Sequence, residues 1–173
     1  MAIDGITFVS TSVKDRFCDK VCIVAKNNEG QVVGTVNSET ALNKLYAEAI
    51  SPNYYDYSRY TSAQKHTLPH MYINSLQVDN NLRNKGIGRQ LVARVVQESV
   101  NRGYEGRVIV GAGNCLEKSP LPFYKKLGFV TSNKGLNANL DFAAKYKVPF
   151  DNSIHAFMTL SKKMASQLLK SIR

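Results

Sequence analysis

Short apolar runs and alternating apolar and polar positions along the chain predict a series of β-strands. Turn-forming residues at Asn27–Gly30 separate two of these runs, which therefore predict a β-hairpin. The run at Arg107–Gly111 has a continuous apolar centre, as in a strand buried on both faces. The predicted strands are Ile3–Val9, Val21–Ala25, Gln31–Val36, Met71–Val78, Arg107–Gly111, Phe129–Thr131 and Ile154–Leu160.

Apolar residues at helical spacing predict four helices. The clearest is Gly88–Arg102, whose apolar side chains fall on one face and which ends before Gly103. Val13–Asp19 offers room for one helical turn at most, and the polar connection before Ile154 carries no predicted element. The predicted helices are Glu39–Ala49 with Ser38 as N-cap, Gly88–Arg102, Ser119–Leu127 with a Ser-Pro start, and Lys162–Ile172 within a C-terminal helical segment at about 161–172.

An insert of about residues 38–70 interrupts this series. After the first predicted helix it is rich in tyrosine, at Tyr54, Tyr55, Tyr57 and Tyr60, and it lacks clear periodicity. The pattern predicts a long loop with a short helix in it, and such loops often act as lids. Two interpretations stay open, namely packing on the surface and recognition of a substrate.

The order of elements predicts one α/β domain with a mixed sheet, and 173 residues fit a single domain. No stretch is long and apolar enough to predict a membrane span, and the N-terminal residues show no secretory signal. Three cysteines without a CxxC motif favour a reducing compartment, so a cytoplasmic location is expected. His66 and His70 have a spacing that can bind zinc, but Pro69 lies between them, and no metal is expected.

The net charge of +10 indicates a polyanionic partner, which could be a nucleic acid, an anionic membrane surface or a phosphorylated ligand. The charge is unevenly distributed along the chain. Residues 1–86 carry a net +1 and residues 87–173 a net +9. The excess therefore begins at the helix that opens with Gly88.

The loop between the strand Met71–Val78 and this helix has the chemistry of a phosphate site. Two glycines let the backbone approach an anion, the free N–H groups of a helix N-terminus favour negative charge, and Arg83, Lys85 and Arg89 add positive charge. The glycine spacing fits neither a GxxxxGK[ST] nor a GxGxxG loop. The pattern present is Arg-x-x-Gly-x-Gly at residues 83–88.

This segment resembles the acyl-CoA loop of the GNAT superfamily of N-acetyltransferases, whose pattern is Arg/Gln-x-x-Gly-x-Gly/Ala between a strand and a long helix. A second feature of that family, an aromatic-Tyr-x-Lys-Leu-Gly-Phe run, is matched by Phe123–Phe129. The resemblance covers about residues 71–160. It implies a single domain with a mixed, mostly antiparallel sheet that is flanked by helices and split between its two central strands.

The resemblance also implies a reaction and a set of site residues. Acetyl-CoA would be the cosubstrate, an amine would attack the thioester directly in a ternary complex, and Tyr124 would protonate the departing thiolate. A backbone amide near the end of the first central strand would stabilise the oxyanion. The CoA-binding residues would be Leu76, Gln77 and Val78 through their backbone, then Arg83, Asn84, Lys85, Gly86, Ile87, Gly88 and Arg89, with Asn114 as a further hydrogen-bonding candidate.

Several points stay open at the level of the sequence. The strand Met71–Val78 carries no carboxylate, so His70, Glu48 or a water chain could act as general base, and Cys115 leaves a covalent route conceivable. The family usually has two helices between its first strand and the hairpin, and this chain has little room for them. The acceptor could be a small molecule or a protein, and the chain a monomer or a homodimer.

The alternative hypothesis comes from a different class of protein. It is a nucleic-acid-binding or regulatory protein on a GNAT-like scaffold, or an acetyltransferase with an RNA-linked acceptor. The pyrophosphate and the 3′-phosphate of CoA account for part of the basic charge. The lysines near the C-terminus, among them Lys145 and Lys147, are not explained in this way.

Overall fold

The computed structural model describes residues 3–16, 18–41, 69–113, 118–131 and 133–172. Within these residues one sheet contains seven strands in the order β1-β2-β3-β4-β5-β7-β6. The strands are β1 (Thr7–Lys14), β2 (Asp19–Lys26), β3 (Val32–Ala41), β4 (His70–Val78), β5 (Val108–Gly113), β6 (Phe129–Val130) and β7 (His155–Leu160).

Four α-helices accompany the sheet in the described part of the chain, together with two short 3₁₀ segments at Asn80–Leu82 and Lys170–Ile172. The helices are α1 (Ile87–Asn101), α2 (Leu121–Lys126), α3 (Lys134–Tyr146) and α4 (Lys162–Leu169). None of these described helices is long and apolar enough to cross a membrane.

The pairing of the strands confirms the predicted fold class. Neighbouring strands run antiparallel except β4 and β5, which are parallel and pair over only three positions, from Met71↔Val108 to Ile73↔Val110. Beyond Ile73 the two strands no longer pair with each other, although each continues. The sheet is therefore mixed, mostly antiparallel and split between its two central strands.

Helix α1 forms the centre of the core. Its apolar face from Ile87 to Val96 is buried against β2–β5 and α4. Gly34 on β3 allows this close packing, because a Cβ there would lie 3.1 Å from Ile87 and 3.2 Å from Leu91. At the other end of the helix, an Arg102 guanidinium nitrogen lies 2.6 Å from a carboxylate oxygen of Asp19 on β2. The packing and this partly buried ion pair fix the helix along the sheet.

The structure corrects two predictions near the N-terminus. The predicted helical turn at Val13–Asp19 is wrong, because β1 and β2 form a hairpin that includes both ends of that segment. Ser38 is not a helix N-cap, because β3 continues through Ala41 and pairs with β4. Ser38 and Thr40 are buried, and their hydroxyl groups bond to the backbone of β2. The insert thus begins after Ala41, and the rest of the predicted helix, residues 42–49, lies outside the described residues.

A third difference is that the polar connection before β7 contains α3. The side chain of Asn133 caps this helix by accepting a hydrogen bond from the Leu136 N–H at 3.0 Å. Only Leu140 and Ala143 of the helix are buried. Two buried positions give too weak an apolar periodicity for the helix to be found from the pattern alone.

Candidate active site

The loop that joins β4 to α1 folds tightly at the open end of the split. After Val78 it forms the 3₁₀ turn Asn80–Leu82 and then takes two left-handed backbone conformations, at Asn84 (φ 62°) and Gly86 (φ 88°). Gly86 is the residue from which α1 starts. A left-handed conformation at this point turns the chain into the helix, and glycine adopts it without steric cost.

The N-terminus of α1 has no internal neutralising group. Gly86 has no side chain to cap the helix, the first turn contains no acidic residue, and Arg89 lies within it. Arg83, Lys85 and Arg89 are all exposed. Positive side chains added to the positive end of a helix dipole are unfavourable unless an anion is bound there. This loop therefore has the electrostatics of an anion site.

Arg83 also has a structural contact within the loop. Its Nε donates a hydrogen bond of 3.3 Å to the carbonyl oxygen of Val78, the last residue of β4. The backbone N–H of Asp79 bonds in turn to the Val33 carbonyl at 3.0 Å. These bonds hold the start of the loop against the sheet, so its position relative to the split is fixed.

The split exposes two strand edges beside this loop. Leu76, Gln77 and Val78 pair with β3 on one side, and no described strand pairs with them on the side of β5. The end of β5, Gly111–Gly113, pairs with β7 but not with β4. The open edge of Leu76–Val78 can hydrogen-bond an extended ligand as an added strand would.

A β-bulge lies where the strands part. Asn37 pairs with Ser75 and the next residue, Ser38, pairs with Ile73, so Asn74 has no partner on β3. An unpaired bulge residue interrupts the ladder and bends its strand. The bulge frees backbone groups of β4 at the first position beyond its pairing with β5.

Helix α2 brings Tyr124 to this region. The ring of Phe123 packs on the start of α1, because a Cβ at Gly88 would lie 3.2 Å from Phe123 Cζ and 3.8 Å from Val78 Cγ2. Tyr124 is 4% exposed and stands edge-to-face with Phe123 and Phe129, at ring-centroid distances of 5.0 and 5.5 Å. The two sequence motifs therefore meet in space, and the second glycine of the loop makes room for the aromatic ring of the other motif.

Tyr72 is a site residue that sequence reasoning missed. It lies on the sheet face opposite to Met71 and Ile73, where it packs with Ile109 and Phe157. Its hydroxyl oxygen accepts a hydrogen bond from the Gly111 N–H. The strand alternation Met-Tyr-Ile is the signal that would have placed Tyr72 on the second face.

The charge around Tyr72 comes from Glu39, which is its direct cross-strand neighbour on β3. Burial raises the pKa of the Tyr72 hydroxyl above its ordinary value, the negative charge of Glu39 raises it further, and the Gly111 N–H lowers it in part. Tyr72 is therefore a neutral phenol at physiological pH, which can donate a hydrogen bond at the edge of the split.

An open groove of about 400 Å³ lies beside Glu39 and the bulge. Residues that line it include Thr11, Lys20, Cys22, Asn37, Glu39 and Asn74. The Cys18 thiol donates a long hydrogen bond of 3.7 Å to a Glu39 carboxylate oxygen, and burial followed by the Glu39 charge raises the pKa of this thiol. Cys18 is therefore a neutral thiol and not a nucleophile at physiological pH.

Other candidates from the sequence are placed differently. His70 is fully buried and precedes the positions where β4 and β5 pair, so its side chain does not lie at the opened part of the split. The structure gives a packing reason for the glycines of β5. A Cβ at Gly111 would lie 2.7 Å from the Tyr72 hydroxyl oxygen, and one at Gly113 would lie 2.1 Å from the Ile154 carbonyl oxygen.

The remaining candidates from the sequence lie outside the described residues. They are Glu48, His66, Asn114, Cys115 and the tyrosines at positions 54, 55, 57 and 60. In the described segments, no three His, Cys, Asp or Glu side chains are grouped so that they could hold a metal ion.

Comparison with known proteins identifies the class. The family model described as "Acetyltransferase (GNAT) family" matches residues 7–129, which is more than half of the chain. The chain therefore belongs to the GNAT acetyltransferase family. No curated protein sequence matches it significantly.

Solved structures share the fold at low sequence identity. The KacTA–DNA complex matches at 16% identity with a TM-score of 0.51, covering 91% of this chain and 76% of that one. Escherichia coli ElaA matches at 15% identity and a TM-score of 0.48, covering 83% and 69%. A protein of Bacillus anthracis strain Ames, assigned as a streptothricin acetyltransferase and solved with acetyl coenzyme A, matches at 15% identity and a TM-score of 0.47, covering 92% and 87%.

Proposed function

We propose that this protein transfers an acetyl group from acetyl-CoA to the primary amine of a small molecule or a protein. The observation that carries the proposal is the parting of β4 from β5 directly beside the uncapped, basic N-terminus of α1. The N-terminus of α1 suits a pyrophosphate, and the open strand edge beside it suits an extended arm with amide groups. Pantetheine pyrophosphate has both parts in that order.

In the proposed complex the loop from Arg83 to Gly88 holds the pyrophosphate through its backbone N–H groups, and Lys85 and Arg89 add positive charge. The pantetheine arm pairs with the free edge of Leu76–Val78 as an added strand. The thioester then lies near the bulge at Asn74, whose freed backbone groups supply the oxyanion donor.

The proposed reaction needs no covalent enzyme intermediate. The ammonium group of the acceptor first gives one proton to water. The lone pair of the resulting neutral amine attacks the thioester carbonyl carbon, and the carbonyl electrons move to the oxygen. When the tetrahedral intermediate collapses, the C–S bond breaks and Tyr124 gives its hydroxyl proton to the CoA thiolate. The amide nitrogen loses one proton, and the tyrosinate regains one from solvent.

We place the acceptor on the sheet face that carries Tyr72 and Glu39. Glu39 is the acidic side chain that lines the groove and can bind an ammonium group, whereas Lys20 of the same groove is paired with Asp15 at 3.6 Å. We assign to Glu39 the proton that the attacking nitrogen releases. The Tyr72 hydroxyl, held by the Gly111 N–H, orients the amine at the split. His70 is not assigned this role because it is fully buried. The reaction is proposed to take place in the cytoplasm.

Calorimetry with acetyl-CoA tests the first half of the proposal. We expect a single site with a dissociation constant in the micromolar range, and absence of binding at high micromolar ligand would overturn the assignment. A screen of CoA release over a panel of small amines, polyamines and peptide N-termini then tests the acceptor class. If CoA is released by hydrolysis alone and no amine increases the rate of release, the transfer reaction is contradicted.

The role of Tyr124 is tested by Tyr124→Phe. Loss of the general acid is expected to lower kcat by about 100-fold or more, with acetyl-CoA affinity changed by less than about twofold, because the ring packing is kept. Tyr104→Phe is a matched control, since Tyr104 is also a buried tyrosine but lies beyond the opposite end of α1. An unchanged kcat in Tyr124→Phe would remove Tyr124 from the mechanism.

A further inference from the structure

Helix α3 presents two aromatic side chains to solvent. Phe142 is 57% exposed and Tyr146 is 56% exposed, and their ring centroids lie 4.5 Å apart. The other large hydrophobic residues that are exposed in the described chain are valines, one of which, Val148, follows the same helix. Contiguous exposed apolar surface, unlike a single exposed residue, is a feature of interaction sites.

Lysines surround this pair. Lys145 Nζ lies 5.3 Å from the ring centroid of Tyr146, and Lys147 follows at the left-handed C-terminus of the helix. Between residues 118 and 148 the chain has six lysines and one acidic residue, Asp141. Asp141, the single acidic residue of this segment, forms an ion pair with Lys125 of α2 at 3.3 Å. The surface formed by Phe142, Lys145, Tyr146 and Lys147 is called the α3 patch below.

We propose that the α3 patch binds single-stranded nucleic acid, with unpaired bases stacked on Phe142 and Tyr146 and phosphates at Lys145 and Lys147. Every base offers a π-face to an aromatic side chain, and lysines follow the phosphate backbone. The combination is suited to single strands because the bases of a duplex are already stacked. Two aromatics and two lysines define a short, sequence-tolerant site.

Like charges and the polar residues on the exposed side of α3 argue against other occupants of the patch. A second copy of the chain would bring its own Lys145 and Lys147 against this surface, with like charges opposed. An anionic membrane surface would need a continuous apolar face, whereas the exposed side of α3 also carries Asn139 and Asp141. Helix α3 packs against α2, and the α3 patch shares no residue with the basic loop at residues 83–89.

Fluorescence anisotropy of the full chain tests the proposal. The probes are labelled RNA and DNA single strands of the same mixed sequence, about 10 nucleotides long, at about 50 and 200 mM salt. We expect binding that weakens with salt. Phe142→Ala and Tyr146→Ala should each weaken it by about tenfold at both salt concentrations, because stacking is not screened. Equal affinity for the two probes indicates stacking alone, and a preference for RNA indicates contacts to the 2′-hydroxyl; both outcomes support the site.

The lysines are tested by Lys145→Gln/Lys147→Gln. This variant should lower the slope of log affinity against log salt by about 1.4, the value for two phosphate contacts on a single strand. Lys162→Gln/Lys163→Gln on α4 is the matched control, since it removes the same charge elsewhere. Circular dichroism and acetyl-CoA binding show that each variant is folded.

Five results would overturn the proposal. The first is absence of binding to either probe at the lower salt concentration, and the second is an equal loss of affinity in the α4 control pair. The third is competition by acetyl-CoA, which would place the oligonucleotide in the CoA loop. The fourth is binding to phosphatidylserine vesicles but not to oligonucleotides, and the fifth is a dimer in sedimentation that Phe142→Ala dissociates.

Discussion

The molecule has two basic surfaces that are built in opposite ways. In the loop before α1, the proposed anion-binding groups are backbone amides next to two left-handed residues, and no side chain caps the helix. In the α3 patch, the helix N-terminus is closed by the Asn133 side chain, and the charge is carried by lysines beside exposed rings. The first arrangement offers backbone groups, and the second offers side chains on an exposed helix face.

This difference shows that net charge alone does not identify a ligand. Backbone amides at a helix N-terminus converge on one small anion, which suits a pyrophosphate. Lysine side chains are flexible and strongly hydrated, and together with rings they suit an extended polyanion. We therefore propose a division of ligands, with a pyrophosphate at the loop and a single-stranded nucleic acid at the α3 patch. Three further predictions test this division.

The largest effect is expected from Gly86→Ala. A side chain in this left-handed conformation costs about 1–2 kcal/mol, and the loop can relieve the strain only by moving its amides. Acetyl-CoA affinity measured by calorimetry should fall by about tenfold or more, whereas oligonucleotide binding at the α3 patch should not change.

Gly30→Ala is the matched control for this prediction. Gly30 is also left-handed (φ 79°), has open space around it and lies in the β2–β3 turn. It should lose a similar amount of unfolding free energy without any loss of acetyl-CoA affinity. Equal loss of affinity in both variants would mean that general stability, and not the loop amides, decides acetyl-CoA binding.

An intermediate effect is expected from Gly88→Ala, which tests the contact between the two motifs. Replacing glycine by alanine in a helix usually stabilises it by up to about 1 kcal/mol. Here the new Cβ would lie 3.2 Å from Phe123, so this gain should be absent in the natural background. In a Phe123→Leu background the gain should appear. Urea unfolding of the four proteins measures the coupling, and additive effects would show that the ring does not depend on Gly88.

The smallest effect is expected from Asn133→Ala, which removes the cap of α3. The loss of one N-cap hydrogen bond should lower the free energy of unfolding by about 1 kcal/mol or less. Acetyl-CoA affinity should stay within about twofold, because the cap does not touch the loop. Thermal unfolding with and without acetyl-CoA checks both statements, and a larger loss of affinity than of stability would contradict the separation of the two surfaces.

The sequence predicted the site loop well because its signals are local. Arg83–Gly88 and Phe123–Phe129 are short motifs, and glycine at a helix start has a conformational reason within the loop itself. The strand Met71–Val78 and the helix after Gly86 were placed within a residue of their observed bounds for the same reason. The assigned roles of these residues in binding and catalysis stay predictions.

The sequence could not predict contacts between distant segments. Ser38 has a residue type that caps helices, and only its pairing with Ile73 of β4 places it in a strand. Glu39 was assigned to that helix, so its position opposite Tyr72 was also missed. Helix α3 could not be predicted from the sequence, because only two of its residues are buried and two apolar positions do not produce a helical pattern. In the structure the helix packs against α2.

The sequence by itself determined the loop with its basic residues and the two motifs that show the family, because each of these signals is local in the chain. The split sheet followed only from the resemblance that these motifs carry. Tertiary structure alone decided which groups meet, namely Gly88 with Phe123, Tyr72 with Gly111, and Tyr72 with Glu39. It also decided which side chains stay exposed, as at Phe142 and Tyr146. The physical reason is that backbone conformation follows from neighbours in sequence, whereas burial and electrostatic environment follow from neighbours in space.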